Sequence, residues 1–87
     1  MEVAYAPKFV RMLNSLPPAL QTEAIEKIEL FRNEANHRQL NVHKLRGQLK
    51  NQYSFYVNYA YRILFVWLPA KPRSAFLLVI DDHDAYD

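Results

Sequence analysis

Residues 53–68, YSFYVNYAYRILFVWL, are the stretch that decides the fold. They are dominated by Tyr, Phe, Val, Ile and Leu, which fit the pleated, half-buried surface of a β-sheet. Residues 58–60, NYA, interrupt the apolar run and are typical of a tight hairpin. The stretch therefore predicts two antiparallel strands, over residues 53–59 and 61–68.

Alternation along residues 61–68 places Arg62 on one face with Leu64 and Val66, opposite Phe65 and Trp67. Both faces are apolar beyond the first two residues, which indicates a central strand. A guanidinium at the mouth of such a strand is either anchored to a carboxylate or to carbonyl groups, or held rigidly to meet a ligand. No carboxylate occurs in residues 35–80, although a helix glutamate or Asp81 could be the anchor. A rigid planar donor suits phosphate recognition.

Three further strands are predicted on either side of this hairpin. The segments MEVAYA (1–6), LNVHKL (40–45) and SAFLLVI (74–80) have a similar β-forming composition. Gly47 is expected to use its free backbone in a turn or bulge after the second of these segments. The PAKPR sequence at 69–73 is expected to form a longer hairpin connection.

Two helices are predicted before the main sheet. In residues 8–15, Phe9, Val10 and Leu13 recur at helical spacing, and the LPP at 16–18 ends this helix and begins the next. The second helix carries an apolar stripe opposite its charged residues, among which Glu23 and Lys27 lie one turn apart. The stripe consists of Leu20, Ala24, Ile28 and Phe31, with Ile25 alongside. Residues 33–39 are expected to be a connection.

These elements predict an α+β fold in which two N-terminal helices pack on one face of a small sheet. The sheet is expected to be mainly antiparallel, with four to five strands. Residues 1–87 are expected to form a single domain, because two separate cores would each be too small to offset chain entropy.

The charges are distributed in three blocks, although the net charge is only +2. Residues 1–34 carry four basic and five acidic side chains, residues 35–80 carry seven basic and none acidic, and residues 81–87 carry four aspartates. The central block is a field of one sign that suits an anionic partner, with nucleic acid as the first candidate. The alternative is a solvated basic face without such a partner.

Several kinds of site find no support in the composition. The absence of cysteine removes disulfides, thiolate metal sites and cysteine nucleophiles, and one glycine cannot build a Gly-rich phosphate loop. The histidines and aspartates lie at no spacing that recurs in metal sites, so we expect no metal ion and no other cofactor. The apolar runs are too short to span a bilayer and the N-terminus lacks a signal-peptide pattern. We therefore expect a cytoplasmic protein with no membrane partner.

Two histidines are candidates for proton transfer. Alternation in residues 40–46 places His43 on the face opposite Lys44 and Arg46. His83 follows the last strand and has three aspartates close by in sequence, which stabilise the protonated ring. Such a histidine suits a general acid, or a base once a partner moves the carboxylates away. The alternatives are a structural or surface residue at position 43 and an incidental histidine in an acidic tail at position 83.

The string VHKLRGQLKNQYSFYVNYAYRILFVWL (42–68), followed by LLVIDDHDAYD (77–87), resembles the RelE/ParE toxin superfamily of bacterial toxin–antitoxin systems. The elements that carry the similarity are HKL with a following glycine, the YRI strand, and an apolar strand that ends in DHDAY. The likeness is closest to the ribonuclease-type members related to RelE, YafQ and YoeB. It covers nearly the whole chain, because residues 5–31 resemble the helical hairpin of that family.

The resemblance implies a toxin that cleaves messenger RNA without a metal ion, typically on the ribosome, and that a cognate antitoxin protein holds inactive. A ribose 2′-hydroxyl would attack the adjacent phosphate, which requires a base, an acid and cations that stabilise the phosphorane. The matching catalytic residues are Arg62 as the phosphate clamp, His83 in proton transfer, Tyr86 as an aromatic that stacks on or orients a nucleotide, and His43. The matching RNA-binding residues are Lys44, Arg46 and Lys50. Which residue acts as base and which as acid stays open.

Two other functions remain as alternatives. ParE-like members of the superfamily inhibit DNA gyrase as binding proteins and are expected to lack acid–base residues, so His43 together with His83 favours the ribonuclease branch. A nucleic-acid-binding or protein-binding module without catalysis, acting through the basic stretch alone, is the other alternative.

Overall fold

Two helices, a 3₁₀ turn and five strands make up the part of the chain that the computed structural model describes, residues 1–47, 51–69 and 71–82. The elements are β1 (Glu2–Tyr5), α1 (Pro7–Asn14), α2 (Pro18–Phe31), the 3₁₀ helix (Glu34–Asn36), β2 (His43–Lys44), β3 (Tyr53–Tyr56), β4 (Tyr61–Leu68) and β5 (Ser74–Asp82). The sheet order is β1–β5–β4–β3–β2. β1 runs parallel to β5 and the other neighbouring pairs are antiparallel. The predicted α+β fold is confirmed.

Phe31, at the end of α2, lies at the centre of the core. Its ring stacks on Phe55 with the centroids 4.2 Å apart and meets Phe65 at 4.9 Å. Ala24 and Ile28 precede it at helical spacing and are buried with it, and Phe9 brings α1 onto the same core. Both helices therefore cover one face of the sheet, as the sequence predicts.

Ile25 and Val10 depart from the predicted apolar stripes, because both side chains are exposed. Each lies one residue after a buried position, Ala24 or Phe9, and one residue is a rotation of about 100° around a helix. That rotation turns them away from the sheet, so hydrophobic character alone was a poor guide to burial at these two positions.

The second predicted strand, over residues 40–45, is much shorter than expected. β2 contains His43 and Lys44, while Leu40 is buried in a turn in which its N–H donates to the carbonyl of Asn36 at 3.1 Å. Asn41 has a left-handed φ of 54°, which interrupts the extended backbone. The predicted turn at Gly47 is confirmed, since its φ of 75° is the conformation that favours glycine.

A β-bulge in β5 determines which side chains of this strand face the helices. Leu64 lies opposite Val79 and Phe65 opposite Leu77, so Leu78 is an extra residue in β5. Leu77 and Ile80 are three residues apart, yet both are buried in the core beneath the helices. Strict alternation would have placed them on opposite faces. The bulge shifts every later residue of β5 to the other face, including Asp81.

No helix among the described residues is long and apolar enough to cross a lipid bilayer.

Truncation of Phe31 tests whether this core depends on the aromatic stack. Because Phe31 is fully buried between three rings, we expect Phe31→Ala to lower the free energy of unfolding by about 3–5 kcal/mol in a denaturant titration. Leu30→Ala, at an exposed apolar residue of the same helix, is the matched control and is expected to cost less than about 1 kcal/mol. Equal losses in the two variants would contradict the assignment of Phe31 to the centre of the core.

Candidate active site

The face of the sheet that lies opposite the helices, which we call the open face, carries the candidate site. In antiparallel pairs, residues directly opposite each other point to the same face. The strand register therefore defines the open face by His43, Ser54, Tyr56, Arg62, Leu64, Val66, Phe76, Val79 and Asp81. Most of these side chains are apolar or aromatic, so the charged groups among them stand out.

Arg62 is a buried cation on the open face, with only 5% of its surface exposed. It lies directly opposite Tyr56 of β3 and Asp81 of β5, in one row across the three central strands. Its Nε is 3.4 Å from Oδ1 of Asp81. The structure thus gives the guanidinium a carboxylate anchor, and its role in binding a phosphate stays a prediction.

The bulge at Leu78 is the reason that Asp81 can reach Arg62. With strict alternation from Phe76, Asp82 would lie on the open face and Asp81 beneath the helices. Bulges commonly re-aim a side chain next to a functional site. The sequence could name Asp81 as one of several possible anchors, but nothing in its pattern locates the bulge.

His43 lies on the same face as Arg62, in the row of Ser54 and Leu64. His43 is two strands across the sheet from Arg62 and two residues further along. At standard strand spacings this corresponds to roughly 12 Å between the two Cα atoms. Its Nδ1 lies 2.8 Å from the backbone carbonyl of Asn41, and since a carbonyl can only accept, Nδ1 carries the proton. In the neutral ring Nε2 is then the basic nitrogen. The His43 side chain that carries this nitrogen is exposed.

The other residues predicted for the site are distributed differently. Lys44 is exposed and lies opposite Tyr53, so it is on the helix side of the sheet, and Arg46 is exposed beyond the end of β2. The structure does not bring these two cations onto the face of Arg62. Lys50, His83 and Tyr86 lie outside the described residues, so their roles stay predictions.

The hairpin between β3 and β4 is hydrogen-bonded to helix α2, which fixes the start of β4, where Arg62 lies. The side chain of Asn58 accepts hydrogen bonds from the N–H groups of Ala60 and Tyr61 at 2.8 and 2.9 Å, and its amide donates to Glu23 of α2 at 2.6 Å. Lys27 of α2 donates to the Val57 carbonyl at 3.0 Å. Glu23 and Lys27, one turn apart in the sequence prediction, thus both reach across to the hairpin.

Tyr56 is a residue of the site that the sequence analysis did not name, and Asp81 was named only as one possible anchor of Arg62. Tyr56 lies opposite Arg62 in the strand register and is exposed, and Nζ of Lys27 in α2 lies 5.9 Å from the centroid of its ring. Alternation from Phe55, which is buried beneath the helices, could have placed Tyr56 on the open face. Asp81 lies on the open face only because of the bulge, so alternation along β5 could not place it there.

Arg73 stacks on Trp67 with 3.5 Å between the guanidinium carbon and the ring centroid, at the opposite end of β4 from Arg62. Among the described residues, no three histidine, aspartate or glutamate side chains lie close enough together to hold a metal ion.

No known protein family profile and no curated protein sequence matches this chain. Solved structures do match it, with probability 1.00. The toxin–antitoxin complex RelBE2 from Mycobacterium tuberculosis has a TM-score of 0.73 and 21% identity, over 94% of this chain and 90% of that chain. The archaeal RelE–RelB complex from Pyrococcus horikoshii has a TM-score of 0.69 and 21% identity, over 93% and 92% of the two chains.

A third similar structure is the YoeB/ParE toxin from Agrobacterium tumefaciens, with a TM-score of 0.65 and 9% identity, over 95% of this chain and 99% of that chain. The three alignments span nearly the whole of each partner, and the identities are low. They confirm the resemblance at the level of the fold. The chain has the fold of RelE-like toxins.

The hairpin brace can be tested by removing the Asn58 side chain. Asn58→Ala loses three hydrogen bonds and leaves two backbone N–H groups without the acceptor they now use, so we expect it to cost about 1–3 kcal/mol of stability. Tyr59→Ala is the control in the same hairpin, because this side chain is 90% exposed, and it is expected to change stability by less than about 0.5 kcal/mol. Thermal or denaturant unfolding of both variants measures the difference. A tolerated Asn58→Ala would show that the brace is dispensable.

Proposed function

Since the chain has the fold of RelE-like toxins, we propose that it is the toxin of a type II toxin–antitoxin pair and an endoribonuclease that cleaves messenger RNA on the ribosome. The observation that carries this proposal is the open face, on which the Arg62 guanidinium and the His43 imidazole, whose Nδ1 faces the Asn41 carbonyl, lie on one sheet. Rigid elements hold such groups more accurately than loops do.

Cleavage of RNA by its own 2′-hydroxyl needs little from the protein beyond proton transfer and charge stabilisation. In the proposed reaction, Nε2 of His43 takes the proton of the 2′-hydroxyl, and the oxygen attacks the adjacent phosphorus. The bond from phosphorus to the 5′-oxygen breaks, which leaves a 2′,3′-cyclic phosphate on one fragment. Arg62 stabilises the charge that builds on the phosphorane oxygens, since a planar guanidinium can bind two of them at once.

The departing 5′-oxygen requires a proton, and His83 is proposed to supply it. This assignment rests on the sequence resemblance, as does the role of Tyr86 in stacking on a nucleotide. Lys44, Arg46 and Lys50 are proposed to bind the RNA backbone away from the reacting phosphate. The exposed positions of Lys44 and Arg46 at the edge of the sheet support contact with a large polyanion.

A cognate antitoxin protein is the proposed physiological partner. Two of the solved structures that share this fold are toxins in complex with their antitoxins. An antitoxin that covers the open face would inactivate the protein by excluding RNA from Arg62 and His43.

The cleavage proposal is tested in a translating extract, with the ends of the RNA fragments mapped. We expect wild-type protein to cut within translated messages and leave cyclic phosphate ends. Arg62→Lys keeps the charge but loses the planar pair of donors, and is expected to lower the cleavage rate by about 10²–10³-fold. His43→Ala and His83→Ala are each expected to lower it by about 10²–10⁴-fold.

Arg73→Lys is the matched control for Arg62→Lys, because Arg73 lies at the far end of β4 and packs on Trp67. It is expected to cleave at the wild-type rate. Equal losses in the two arginine variants would point to general RNA affinity and count against a clamp at Arg62. No cuts by the wild type, together with inhibition of DNA gyrase supercoiling, would move the protein to the ParE-like branch.

A further inference from the structure

The pairing of Arg62 with Asp81 has a consequence for how RNA reaches the candidate site. We propose that Asp81 is an internal competitor of the substrate phosphate, a carboxylate that holds the free protein in a state of low RNA affinity. The inference rests on the proposed function, since it takes Arg62 as the phosphate-binding group.

Asp81 is built into the fold next to Arg62, and the two do not meet through a chance contact of flexible side chains. The two residues lie directly opposite each other on adjacent central strands, and the bulge at Leu78 turns Asp81 onto the open face. Their side chains are 6% and 14% exposed, respectively. The strand register thus places the carboxylate and the guanidinium side by side on one face.

A carboxylate and a phosphodiester use the same chemistry to bind arginine. Each presents two oxygens to the guanidinium N–H groups. While Asp81 neutralises Arg62, an arriving phosphate meets an ion pair with little net charge, and the nearby Leu64 and Val79 keep the pair in apolar surroundings where Coulomb interactions are strong. The phosphate must therefore displace the carboxylate or share the guanidinium with it.

The geometry of the pair is compatible with such displacement. The Nε–Oδ1 separation of 3.4 Å is longer than the roughly 2.7–2.9 Å of a strong charge-assisted hydrogen bond. A phosphate that binds at the shorter distance gains energy over the carboxylate that it replaces. This contact between Nε and Oδ1 is therefore one that a phosphate oxygen at a shorter distance would replace with a gain in energy.

The test compares two neighbouring aspartates that differ in the face they occupy. Asp81→Asn and Asp82→Asn remove the same charge, but Asp82 lies opposite Tyr61 on the helix side of the sheet. Binding is measured by fluorescence anisotropy with a short 2′-O-methyl RNA, which cannot be cleaved. We expect Asp81→Asn to bind at least about tenfold more tightly than wild type, and Asp82→Asn less than about threefold more tightly.

Other outcomes separate this inference from the proposed function. If the two variants bind RNA equally well, or if Asp81→Asn binds more weakly than wild type while wild type still cleaves RNA, Asp81 is an anchor that orients Arg62, and the competition is refuted. If neither wild type nor the variants bind the RNA at micromolar protein but wild type cuts translated messages in the extract, the competition is refuted and the ribonuclease proposal stands. If wild type also makes no cuts there, both fail.

A measurement on the wild-type protein keeps the inference testable should Asp81→Asn fold poorly. The side-chain Nε–H signal of Arg62 in isotope-labelled protein reports directly on its partner. Competition predicts that this signal shifts on saturation with the 2′-O-methyl RNA and that the Nε–H signal of Arg73 does not. A signal of Arg62 that stays unchanged at saturation overturns the inference.

Discussion

The stack of Phe31 on Phe55 and Phe65 decides which face of the sheet is closed and which is left for chemistry. These rings bury the middle of the helix side of β3 and β4, and α1 extends the same core through Phe9. Alternate residues of the same strands must then point to the other face. Arg62 and His43 lie there because Ile63 and Phe55 are committed to the core.

A cation on a largely apolar sheet face requires compensation, since an isolated buried charge is strongly unfavourable. Residues 35–80 contain no acidic side chain, so the counter-charge comes from Asp81, which the bulge in β5 places on the open face. The result is an arginine that is both rigid and neutralised. Under the proposed competition, the same ion pair also sets how strongly the open face attracts a polyanion.

Much of this architecture could be predicted from sequence periodicity. The bounds of β4, the two helices, the central position of β4 and the face of Arg62 all follow from local pattern, because each depends on residues close together in the chain. Three features could not be predicted in this way. The left-handed Asn41 shortens β2, the extra Leu78 reverses the faces of β5, and the helix rotation leaves Ile25 exposed. Each depends on backbone geometry or packing that residue types alone do not encode. The sequence was therefore enough to name the arginine and histidine of the candidate site. The strand register was needed to place Asp81, the carboxylate that pairs with the arginine.

A structure of the protein in complex with a 2′-O-methyl RNA tests the central claim, that the open face binds a phosphate through Arg62. The account predicts a backbone phosphate within hydrogen-bonding distance of the Arg62 guanidinium, the adjacent 2′-oxygen near Nε2 of His43, and Asp81 moved away from Nε of Arg62. RNA bound elsewhere on the molecule, with the Arg62–Asp81 pair intact, would contradict it.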